Sequence, residues 1–156
     1  MDKAVIAQTV ADEVAAARGC MVAAMNSLEG PYGKAYARSM SDLYYMCYHL
    51  ASALLASRGI GAKSHEAVQK LLALHFVKPA ALPQETTAKF NELMDKRHVA
   101  DYRPYIAIGA QDVAALRSWI SGFVREVLKL LGRSAPAGDA RSLQELVAAF
   151  DRLALE

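Results

Sequence analysis

The sequence predicts an all-α protein: an antiparallel, up-down bundle of four to five helices with an additional C-terminal helix. Three observations carry this expectation. Apolar residues recur at steps of three and four along almost the whole chain, the period of a helix face packed on a core. No segment shows the strict alternation of a half-buried strand. Glycine and proline clusters stand between the periodic stretches, where they end one helix and start the next connection.

From Asp2 to about Leu28, the residues Ile6, Val10, Val14, Ala17, Met21, Met25 and Leu28 mark one helical face, and the GPYG at 30–33 breaks it. A second long helix is expected from Gly33 to Ser57, with Met40, Tyr44, Cys47, Ala51 and Leu54 as its core stripe. It ends at Gly59 and Gly61, where glycine supplies the left-handed turn that other residues resist. Ser64 reads as the N-cap of a shorter helix through Phe76, with Val68, Leu71, Leu72 and His75 on one side. Pro79 and Pro83 close that connection.

The fourth helix runs from about Glu85 to Tyr102 on Phe90, Leu93, Met94 and Arg97, and Pro104 stops it. Gln111 to Leu131 gives a fifth on Val113, Leu116, Ile120, Phe123, Val127, Leu130 and Leu131, stopped by Gly132. RSAPAGDA at 133–140 reads as a short flexible linker, and Ser142-Leu-Gln-Glu145 as a capping box opening a last helix to about Leu155. The organisation predicted is a bundle over 1–132, a linker over 133–141 and a C-terminal helix over 142–156. That helix has an apolar face (Leu143, Leu146, Val147, Phe150, Leu153) to bury on the bundle or on a partner.

At 156 residues the chain is long enough for one substantial core. No apolar run approaches the roughly 18 residues of a membrane span, and the acid-bearing start does not read as a secretory signal. The expectation is a soluble, cytoplasmic protein with no membrane association. Cys20 and Cys47 fall in helical patterns without ligand spacing and read as free thiols. His49, His65, His75 and His98 form no HxxxH pair, so neither a metal site nor a cofactor is called for. Net charge is +2, with ten Lys/Arg against six Asp/Glu in residues 31–110. That excess permits contact with phosphates but is sparser than the basic stripe of a dedicated duplex binder.

Two stretches could carry chemistry. In DLYYMCYHLASALL (42–55), Tyr44 and Tyr48 are four apart, as are Tyr45 and His49. They read either as core or dimer-contact aromatics with a polar tip, or as a wall able to stack a base. In KRHVADYRPY (96–105), Arg97 falls on the apolar stripe of its helix and should point inward, where a guanidinium needs partners. Asp101, four residues on, and the tyrosines of the second helix are the candidates, so Arg97, Asp101 and Tyr102 read as an inward polar cluster. His98 lies one position round and stacks over Tyr102. His65, beside the N-cap, either holds the turn or reaches an anion at the helix N-terminus.

Taken in order, Tyr44-Tyr45-Met46-Cys47-Tyr48-His49-Leu50-Ala51, Ser64-His65-Glu66-Ala67-Val68 after a glycine-rich turn, and Arg97-His98-Val99-Ala100-Asp101-Tyr102 resemble a HEPN domain of the UPF0332 subgroup. They are similar to that family's YYAxxHA helix, the following turn and its RxxADY, over roughly residues 10–131. The resemblance implies a four- to five-helix bundle, a homodimer, and pairing with a minimal nucleotidyltransferase as antitoxin. It also implies contact with RNA or a nucleotide.

Many HEPN proteins are metal-independent ribonucleases with an R-x4-6-H motif, the arginine stabilising phosphate charge and the histidine moving a proton. Here the fifth residue after Arg97 is Tyr102, where a nuclease of this kind would be expected to have histidine, and tyrosine as a residue type is a poor general base at neutral pH. Arg58 and His65 fit R-x6-H by count but straddle the Gly59/Gly61 turn. Three readings stay open. One is a HEPN module that binds a nucleotide, an RNA or a partner. The second is a ribonuclease toxin using Arg97 with His98, His65 or Tyr102. The third is a structural helical scaffold.

Overall fold

A computed structural model describes residues 1–31, 34–103 and 105–156. Among them, six α-helices carry the regular structure, with no strand: α1 Lys3–Glu29, α2 Tyr36–Ser57, α3 His65–Leu72, α4 Thr86–Tyr102, α5 Ala110–Leu131 and α6 Ala137–Arg152. The Gly33 start expected for the second helix and the Pro104 stop expected for the fourth fall outside the described residues.

The side chain of Asp2 caps α1, its Oδ1 accepting the N–H of Val5 at 2.9 Å. The predicted stripe is buried from Val10 to Leu28. α1 lies along α2, and α2 in turn packs on α3, α4 and α5. This explains why α2 buries far more than one stripe: Met40, Leu43, Tyr44, Met46, Cys47, Leu50 and Leu54 face neighbours in several directions. Its end closes as expected. Gly59 takes φ +74°, and the N–H of Ile60 reaches the carbonyl of Leu55 at 3.0 Å.

α3 is capped by Ser64, whose Oγ accepts from the N–H of Ala67 at 3.0 Å. It runs on through a π-helical turn, Ala73–Val77, rather than as regular helix. The turn seats Phe76 in the core at 1% exposure, with the Arg58 guanidinium 4.0 Å above its ring. On α5 the expected face is buried except Leu130, which is 40% exposed. Val124 and Leu128 are buried as well, α5 packing on α2, α4 and α6.

The C-terminal part departs from the sequence reading. α6 begins at Ala137 behind Pro136, so most of the expected linker is helix. Ser142 sits inside α6, where its Oγ accepts from Arg18 Nε at 2.9 Å, and so does not cap it. Alanine and arginine favour helix over 137–141, and Asp139 suits the positive end of the helix dipole. The apolar face of α6 is buried on α1 and α5, with Leu143, Val147 and Phe150 at 0% exposure. Arg117 Nη1 holds its far end, donating to the carbonyls of Phe150 at 3.0 Å and Leu153 at 2.6 Å.

Candidate functional site

The stripe of α4 carries Arg97 into the bundle, where the residue is 6% exposed. The guanidinium carbon lies 5.0 Å from the Tyr44 ring centre and 5.5 Å from that of Tyr45, within range of cation–π attraction. Its ion pair is long: Nη1 donates to Asp101 Oδ2 at 3.5 Å. Arg97 Nε, also buried, has no hydrogen-bond partner.

Asp101 and Tyr102 both meet this guanidinium, Asp101 through the long ion pair and Tyr102 with its ring centre 6.0 Å away, but they do so from the exposed side rather than from inside as the sequence suggested. Asp101 is exposed and meets Ser41 Oγ at 3.4 Å, and Tyr102 is 67% exposed.

The structure brings His65 to this arginine from the start of α3. His65 Nδ1 lies 2.7 Å from Tyr44 Oη, and its ring stacks on Tyr48 at 4.2 Å. Burial pushes the Tyr44 phenol up to about 12, against the pull of Arg97. Burial, then the charges of Arg97, His49 and His98, hold His65 below its ordinary value. A protonated phenol beside a neutral imidazole assigns the bond as Tyr44 O–H donating to Nδ1. Tyr44 thereby fixes the ring and its tautomer.

His65, Arg97 and His98 line one cavity of about 640 Å³ between α3 and α4, with Gln69, Lys70 and Asn91 on its walls. The carboxylate there, Glu66, is paired with Lys70 at 2.9 Å. The lining thus carries two cationic side chains, Lys70 and Arg97, against the one carboxylate. His98 also meets the Tyr102 ring at 5.5 Å.

His49 points elsewhere, its Nδ1 2.8 Å from Glu13 Oε2 on α1. Arg58 spends its guanidinium on Phe76 and on the carbonyl of His75, which leaves its R-x6-H spacing to His65 structural. Cys20 and Cys47 are free, and burial raises both thiols. Gln69, Lys70 and Asn91 were missed from sequence. The signal available was spacing, since Gln69 follows His65 by one helical turn.

Residues 14–133, from the middle of α1 to the end of α5, match the HEPN domain. The chain belongs to the HEPN domain family. Its HEPN part thus holds the whole of the Arg97 cavity, and α6 lies beyond it. Among relatives, the chain is similar to a Methanocaldococcus jannaschii protein whose name marks it as a candidate toxin. The two are 32% identical over 81 residues, covering 52% of this chain and 55% of that one. It is also 25% identical over 96 residues to the UPF0332 protein of Thermotoga maritima, covering 60% and 70% of the two chains. The match thus spans just over half the length of the first relative. No helix among the described residues is long and apolar enough to cross a membrane.

Proposed function

We propose that this HEPN chain is a binding module for a phosphate-bearing ligand, single-stranded RNA or a nucleotide, held in the α3–α4 cavity. We place it as the toxin-type member of a pair with a minimal nucleotidyltransferase. The observation that carries the reading is Arg97: a buried guanidinium with one long ion pair and a free Nε, lining a cavity of net positive charge. A buried cation left short of partners costs stability, and an anionic ligand would supply what is missing. His65, His98 and Lys70 add donors around the same space. The test is fluorescence anisotropy with labelled single-stranded RNA and with adenine nucleotides, wild type beside Arg97→Met. Binding that weakens with salt and is lost in the folded variant is expected. Equal binding by both proteins would remove Arg97 from the reading.

A second reading is favoured by the neutral imidazole. His65, oriented by Tyr44 and sharing the cavity with Arg97, has the protonation state of a general base for a ribose 2′-hydroxyl. The chain would then be a metal-independent ribonuclease whose acid–base group comes from α3 rather than from the position of Tyr102. Cleavage of RNA in EDTA by the wild type, lost in folded His65→Gln with RNA binding retained, is the expected result. No cleavage across several RNAs leaves the binding module alone.

A further inference from the structure

A second cavity, of about 420 Å³, lies between the start of α4 and the middle of α5. Its aromatic wall is Trp119, stacked on Phe123 at 5.1 Å and met edge-on by Phe90 at 6.0 Å. Gly122 stands beside that wall in mid-helix, where glycine costs about 0.5–1 kcal/mol against alanine. Nothing lies within 4 Å of the position its Cβ would take, so packing does not require the glycine, and its absent side chain keeps the cavity open.

The charges around it do not balance. Lys89 and Arg125 line the cavity but are already paired, with Glu92 and Asp151. Glu85 and Glu126 line it with no cation within 4 Å among the described residues. Glu85 sits at the N-terminus of α4, where the helix dipole favours it. Glu126, half-buried within α5, has no such compensation. Thr86, on the same wall, keeps a buried hydroxyl with no partner.

We propose that this cavity is a ligand site for a small organic ammonium ion with an aromatic body, the ring against Trp119 and the charge at Glu126. An indole face stacks an aromatic ring, and a volume of this size falls in the range of small-molecule sites, about 300–1,000 Å³. The site is separate from the Arg97 cavity and uses none of its residues.

Trp119 is the chain's one tryptophan, so its emission reports on this cavity alone. The experiment titrates the full chain with phenethylammonium, 2-phenylethanol and 3-phenylpropanoate, exciting where tyrosine does not absorb. Expected is a saturable change with the ammonium at roughly ten-fold or greater preference over the alcohol, the step of a single added charge contact, and none with the carboxylate. Glu126→Gln should reduce the ammonium to the level of the alcohol. Gly122→Leu, which fills the cavity, should abolish the response to both while circular dichroism stays unchanged, and Ala115→Leu serves if that variant does not fold. No saturable change with the ammonium, or equal affinity for the alcohol, would overturn the proposal.

Discussion

Arg97 and His65 set the terms at the level of single residues. On the sequence alone, a buried arginine in a network should cost several kcal/mol to remove, because breaking a buried pair leaves a charge uncompensated. The geometry argues differently for an apolar replacement: with one ion pair at 3.5 Å and an unpartnered Nε, the arginine is poorly satisfied. Arg97→Met is expected to change stability by less than about 1.5 kcal/mol, as for a volume-conserving core swap, or to raise the Tm, while ligand binding is lost. A fall of several kcal/mol by chemical denaturation would show that Arg97 holds the bundle together.

His65 gives a pH prediction. Its folded value lies below the unfolded one of about 6.5. Between the two values the unfolded chain takes up a proton that the folded chain refuses, so stability rises with pH through that window and is fully present above it. Wild-type Tm should fall as pH drops below about 6.5, and His65→Gln should flatten that slope. His65 and Arg97 lie thirty-two positions apart, which is why the pair was not legible in sequence. Arg97's inward aim was legible, because it shares a stripe with Phe90 and Leu93.

Among the elements, helix starts separate what a motif says from what the chain does. Ser64 and Ser142 both read as helix N-caps in the sequence, and Ser142 even has Glu145 three residues on, yet of the two it is Ser64 that caps a helix. Ser64→Ala should cost about 1 kcal/mol, and Ser142→Ala should stay within about 0.5 kcal/mol, as at a surface site. Comparable losses would contradict the start of α6 at Ala137. The sequence hid that start because residues 137–141 contain no large apolar side chain to show a period. The stripes of α1, α4 and α5 were legible for the opposite reason, their leucines, valines and aromatics recurring over several turns. The π-turn after α3 left no mark, since one extra residue in a turn shifts Phe76 inward without altering composition.

On the scale of the whole molecule, α6 acts as a cover lying outside the HEPN match, held at its far end by Arg117 on α5. Phe150→Ala, at a fully buried position, should cost about 3–5 kcal/mol, read as a lower denaturant midpoint. A negligible loss would mean that the cover is dispensable. The central placement of α2 has a further consequence for amide hydrogen exchange. Wrapped by α1, α3, α4 and α5, the middle of α2 is expected to exchange its N–H groups only on global opening. α3 is eight residues long, flanked by a glycine-rich turn and a π-turn, and belongs to the fraction that opens locally. The Tyr44–His65 bond therefore joins a helix expected to exchange slowly to one expected to exchange fast. The α3–α4 cavity is thus expected to open on its α3 side by local unfolding while the tyrosines of α2 beneath it stay protected, which amide exchange would read as fast deuterium uptake in α3 and slow uptake in α2.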